Sequence, residues 1–157
     1  MVAIGILGTG KIAERAILGP AVSVPDVQIV AVGSRSVERA RSYAEEHGLG
    51  SWGGYEDLLS DPLVDVVYVT LPPTLHADWA IRALEAGKHV LCEKPLAAVV
   101  GDIRPDLAGR PVDVHTGHNP HQQRSPVGVL SHDTASSMRT FAAAAPRIGC
   151  PHQHSSN

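Results

Sequence analysis

Two short segments carry groups suited to a phosphorylated ligand. Gly8-Thr9-Gly10-Lys11-Ile12-Ala13 has the pattern G-x-G-x-x-A. Each small residue in it has a steric reason. Gly8 permits a tight strand-to-helix turn, Gly10 lets the backbone approach phosphates with no Cβ in the way, and Ala13 lets the helix lie close on a sheet. First-turn N–H groups and the positive end of the helix dipole then face a pyrophosphate. The plain alternative is a glycine turn with no ligand. Gly33-Ser34-Arg35-Ser36 ends the second apolar run, where a carboxylate would read the ribose hydroxyls of NAD. Ser34 takes that place and Arg35 follows it. A carboxylate repels a 2′-phosphate, whereas hydroxyls and a guanidinium bind it by charge-assisted hydrogen bonds worth roughly 1.5–3 kcal/mol each. The pattern predicts NADP as the preferred cofactor, with NAD as the second candidate. Its alternative is Ser36 as a helix N-cap and Arg35 as a solvated charge.

Glu93-Lys94-Pro95 closes the fifth apolar run. Ligands of open parallel sheets collect at the carboxyl ends of strands, so Lys94 is expected to point toward such a ligand. An ammonium there hydrogen-bonds a hydroxyl or carbonyl oxygen and stabilises negative charge developing on it. Burial would bring its pKa down toward a range useful for proton transfer. The competing role is a surface ion pair between Lys94 and Glu93.

The elements that must hold these residues alternate. Residues 2–7 form a short apolar run closed by glycine and read as a buried strand, not a signal peptide, because no basic stretch precedes them. Residues 11–18 are helical in pattern and are expected to stop before Gly19-Pro20. A second apolar run covers residues 27–32. Residues 36–47 place Val37, Ala40 and Ala44 on one helical face before Gly48. A very short strand at residues 51–52, a short helix at 55–60 and a strong apolar run at 64–70 follow. A helix at 77–86 stops at Gly87, and residues 88–92 read as the next strand. This alternation predicts an α/β fold, a doubly wound parallel sheet covered by helices.

The 157 residues hold 43% hydrophobic side chains, enough for a buried core. A formal net charge of -3 argues against a mainly electrostatic nucleic-acid binder. Two cysteines, Cys92 and Cys150, do not make a disulfide-stapled scaffold and fit a reducing cytosol. No apolar run reaches the roughly 18 residues of a membrane helix. A cytoplasmic protein without nucleic-acid or membrane partners is expected.

The chain divides after Ala98. All seven Glu, all three Lys, both Trp and all three Tyr precede that point, whereas six of the nine His follow it. Leu, Ile, Val and Phe fall from 29 of 98 residues to 11 of 59. Residues 127–130 are one of a few brief apolar patches in the second part, and residues 136–145 have an Ala-rich helical pattern. His115, His118 and His121 recur every three residues, which reads as composition bias, and no metal site is expected.

Residues 64–97 add a more specific pattern: Thr70-Leu71-Pro72-Pro73-Thr74-Leu75-His76, then Ala86-Gly87-Lys88-His89-Val90, then Glu93-Lys94-Pro95-Leu96. Together with Gly8-Thr9-Gly10 and Ser34-Arg35-Ser36, they resemble the Gfo/Idh/MocA family of NAD(P)-dependent oxidoreductases over residues 2–98, almost the whole first half of a Rossmann domain. The stretch is similar to the family's dihydrodiol and xylose dehydrogenase-like branch. The resemblance implies a Rossmann fold and hydride transfer between a nicotinamide and a sugar, polyol or diol CH–OH. Gly8, Thr9, Gly10, Lys11, Ile12 and Ala13 would then line the pyrophosphate, and Ser34 and Arg35 the adenosine ribose. Leu71, Pro72 and His76 would border the nicotinamide half, with Glu93 and Lys94 beside it and Lys94 as the catalytic lysine. For His76 the alternative is a structural residue capping the next helix.

Members of the family are longer, and a second α/β domain supplies their substrate pocket and oligomer interface. Neither is recognisable here, so a truncated form is expected. The composition after Ala98 matches out-of-frame translation of a GC-rich gene or a disordered tail; a native short variant is the competitor. A non-catalytic NAD(P)-binding module and an inactive gene product are the other functional readings.

Overall fold

A computed structural model describes residues 1–93 and 127–129. Lys94, Pro95, the histidine triplet and the Ala-rich segment at 136–145 lie outside these residues. Five strands, β1 (Val2–Leu7), β2 (Val27–Gly33), β3 (Ser51–Gly53), β4 (Val66–Val69) and β5 (His89–Cys92), form one parallel sheet. The backbone of Val127–Val129, one of the apolar patches noted above, lies beside β5 as a sixth parallel strand, β6. The spatial order is β3-β2-β1-β4-β5-β6. This is the order of a dinucleotide-binding sheet, reversing direction between β1 and β4.

The central strands are apolar on both faces because helices cover both. Ile6 on β1, with Val66 and Tyr68 on β4, packs in one cluster with Ala13, Ile17, Ala40 and Ala44. Leu7 on β1, with Val67 and Val69 on β4, packs in the other with Leu58, Ala77, Ala80 and Ala83. Adjacent strand residues thus serve opposite layers, as the two-residue repeat of a strand requires.

Helix α3 (Val37–His47) shows both end signals of its sequence. The Ser36 Oγ accepts the Arg39 N–H at 3.3 Å, and Gly48 ends the helix at φ 68°. Helix α4 is Tyr55–Ser60. A 3-10 turn (Pro73–Leu75) leads into α5 (His76–Glu85), one residue earlier than the apolar spacing indicates. The Lys88 Nζ donates to the carbonyls of Asp61 and Val64, at 2.7 and 2.8 Å, and ties the approach to β5 to the approach to β4.

The first helical stretch departs from its expected end before Gly19-Pro20. Helix α1 (Lys11–Ala13) runs directly into a π-helical turn (Glu14–Leu18) and then α2 (Gly19–Ala21). Within it the Gly19 N–H bonds to the Glu14 carbonyl, five residues back. Proline in a regular helix clashes with the carbonyl four residues earlier. The wider turn before Pro20 gives its ring room, so the helix passes through the breaker.

Ile6 is fully buried in the central strand. Ile6→Ala should lower unfolding stability by about 2–5 kcal/mol in urea denaturation, the range for such truncations in a packed core.

Candidate functional site

Pairing of β1 with both β2 and β4 sets three loops side by side at the carboxyl edge of the sheet. Leu7 is in register with Gly33 on one side and Val69 on the other. The loops at residues 8–10, 34–36 and 70–75 leave from those three strand ends.

The glycine turn is built as its pattern requires. Gly8 has φ 112°, and its N–H donates to the Gly33 carbonyl at 2.9 Å. A Cβ there would stand 2.7 Å from the Thr70 Oγ1. Thr9 is half-buried, Gly10, Lys11 and Ile12 are exposed, and Ala13 is fully buried against the sheet. The Ala13 N–H donates to the Gly10 carbonyl at 3.0 Å. Among the described residues, a Cβ on Gly10 would meet nothing closer than the Ile12 Cγ2 at 3.8 Å. Open space over Gly10 at the start of a helix fits the pyrophosphate of a dinucleotide.

At the end of β2, Ser34 is buried and its N–H donates to the Gly53 carbonyl at 3.0 Å. Its Oγ accepts the Ser36 N–H at 3.4 Å. Ser36 is therefore committed to capping α3, while Arg35 is exposed and has no ion-pair partner among the described residues. No carboxylate occupies residues 33–36.

The loop after β4 is pinned at both ends. The Thr70 N–H donates to the Leu7 carbonyl at 3.0 Å, and the Leu75 N–H to the Pro72 carbonyl at 2.8 Å. Leu71 is buried, whereas Pro72 and Pro73 are exposed. His76 is 1% exposed. Its Nε2 lies 2.6 Å from the Leu71 carbonyl, which only accepts, so the proton sits on Nε2. The imidazole thus braces its own loop from the first residue of α5. Two buried polar atoms here, Thr70 Oγ1 and His76 Nδ1, have no hydrogen-bond partner among the described residues. Thr70 was not among the expected site residues; the one signal for it is a polar side chain closing an apolar run at a strand's carboxyl end.

At the end of β5 the Glu93 N–H donates to the Val69 carbonyl at 3.1 Å. The hydroxyl of fully buried Tyr68 donates to the Glu93 carboxylate. Burial, then this bond and the carboxylate's charge, push the Tyr68 phenol far above its ordinary range. Burial likewise pushes the Cys92 thiol up to about 12, with the Glu93 charge adding to it. Lys94 follows directly but lies outside the described residues.

Residues 2–105 match the model of the oxidoreductase family with an NAD-binding Rossmann fold, GFO_IDH_MocA. The chain belongs to that family. A D-xylose 1-dehydrogenase (NADP(+)) of Haloferax volcanii is 46% identical over 95 residues, 60% of this chain and 29% of that protein. A trans-1,2-dihydrobenzene-1,2-diol dehydrogenase of Xenopus laevis is 39% identical over 109 residues, 66% of this chain and 32% of that one. A 3-ketoreductase of Actinomadura kijaniata, solved in complex with NADP, superposes with a TM-score of 0.57 at 44% identity, covering 60% of this chain and 30% of that one. The chain spans about a third of the length of the first curated relatives it matches. Among the described residues, no group of His, Cys, Asp and Glu could hold a metal ion, and no helix is long and apolar enough to cross a membrane.

Two substitutions separate strain from open space in this Rossmann turn. Gly8→Ala should lower unfolding stability by about 1–3 kcal/mol in urea, from the positive φ and the contact with Thr70. Gly10→Ala should stay within about 0.5 kcal/mol of wild type, because nothing described opposes its Cβ. The raised Cys92 pKa favours the neutral thiol. Stability from that preference is fully present below the ordinary thiol value near pH 9 and is lost as pH rises toward 12. Mass mapping after iodoacetamide treatment at pH 8 should find Cys92 unlabelled in folded protein and labelled in urea.

Proposed function

We propose that the chain is the dinucleotide-binding part of an oxidoreductase that uses NADP(H) in preference to NAD(H). The observation that carries this reading is the open Gly8-Thr9-Gly10 turn at the β1/β4 reversal, beside a β2 end that offers Ser34 and Arg35 and no carboxylate. Gly8, Thr9, Gly10, Lys11, Ile12 and Ala13 form the pyrophosphate cradle. Arg35 pairs with the 2′-phosphate, and the Ser34 hydroxyl assists. Leu71, Pro72 and His76 shape the wall of the nicotinamide half, His76 by bracing the loop. Two relatives support the choice of cofactor: the Haloferax dehydrogenase carries NADP(+) in its name, and the Actinomadura ketoreductase is solved with NADP.

The substrate class follows from the same relatives, which are named for a pentose, a diol and a ketone-reducing reaction. We assign a sugar, polyol or diol CH–OH as the reacting group. When bound, the nicotinamide supplies or accepts the hydride. Lys94, which follows Glu93 in the sequence, is assigned to hold a proton on Nζ at the substrate oxygen and to stabilise negative charge there. Glu93, held by Tyr68, fixes the chain at the step into Lys94.

Fluorescence titration with NADPH and NADH tests the cofactor assignment. Wild-type protein should bind NADPH more tightly. Arg35→Ala should weaken NADPH about tenfold or more, the loss of one charge-assisted contact, and leave NADH within about twofold. Equal losses for the two nucleotides would defeat the phosphate role of Arg35.

A further inference from the structure

We infer that Thr70 is a further cofactor-positioning residue, whose hydroxyl donates to a pyrophosphate oxygen of the bound dinucleotide. The inference rests on the function proposed above. Thr70 ends the loop side of β4, at the reversal between β1 and β4 where open parallel sheets bind ligands. Its N–H is used, bonding to the Leu7 carbonyl at 3.0 Å, but its Oγ1 is buried with no hydrogen-bond partner among the described residues. A hydroxyl with no hydrogen bond contributes nothing to the fold that a methyl group would not contribute better. Valine fills the same volume, so the hydroxyl at this position is unexplained by packing.

Its location supplies the explanation. The Oγ1 stands 2.7 Å from where a Gly8 Cβ would be, so the phosphate-facing turn is folded directly against it. The absence of a Cβ on Gly8 leaves room for that hydroxyl oxygen. In the structure the hydroxyl is shut from solvent. The inferred contact forms by rotation about the Cα–Cβ bond to another staggered well, with a phosphate oxygen accepting the Oγ1–H bond. The pyrophosphate is common to NADPH and NADH, so Thr70 strengthens both alike, whereas Arg35 discriminates between them.

Thr70→Val and Thr70→Ser, titrated with NADPH and with NADH and melted without nucleotide, test this. Thr70→Val should weaken both nucleotides by about tenfold, the loss of one hydrogen bond to a charged group, while its ligand-free melting temperature equals or exceeds that of wild type. Thr70→Ser, which keeps the hydroxyl, should bind both within about twofold of wild type. Unchanged affinity for both nucleotides in Thr70→Val would overturn the assignment. So would a loss confined to NADPH, or a lowered melting temperature that marks the hydroxyl as structural. If wild-type protein binds neither nucleotide, the proposed function itself fails and this role fails with it; if wild type binds and Thr70→Val binds equally well, only the role of Thr70 falls.

Discussion

The double pairing of β1 is the constraint on which the rest depends. One strand of six residues is bonded on one side to β2 and on the other to β4, both parallel to it. Its carboxyl end therefore lies between two others, and every loop that could touch a ligand is forced to the same edge. Leu7, bonded through its carbonyl to the Thr70 N–H, and Gly8, bonded through its N–H to the Gly33 carbonyl, lock that junction from both sides. No room exists there for a side chain on residue 8, so the turn's conformation is dictated by its neighbours as much as by its own sequence.

Much of this was legible in the residues. Apolar runs of five to seven residues announced β1, β2, β4 and β5, and Ser36 and Gly48 announced both ends of α3 at the positions they occupy. Small residues at 8, 10 and 13 gave away the turn because their reason is steric, and steric reasons do not depend on distant partners. What could not be read depended on contacts across the chain. Pro20 marks a stop by local rules, yet the helix runs through it by widening one turn. His76 reads equally as ligand contact or brace until the Leu71 carbonyl is seen beside its Nε2. Thr70 is unremarkable in sequence because an orphaned hydroxyl is a property of surroundings and not of spacing.

The carboxyl end of β5 shows how polar groups enter such a core without penalty. Tyr68 places a phenol in an apolar layer, and its hydroxyl finds a partner in Glu93 one strand away. The bond joins the ends of β4 and β5 by side chains where their backbones already meet at Val69 and Cys92. A carboxylate restrained in this way holds its charge at a fixed place beside β4.

The π-helical turn at Glu14–Leu18 has a consequence for how this segment tolerates changes in length. A π turn accommodates one more residue than the regular helix it interrupts. The slack lies between Ala13, which seats the glycine turn on the sheet, and Val24, which packs in the same layer just before β2. Closing the bulge into ordinary helix would bring the Pro20 ring against the carbonyl four residues earlier, so the wider turn is needed where it stands. The number of residues between the phosphate-facing loop and β2 is thereby tied to Pro20: a deletion there has to remove the proline together with the bulge.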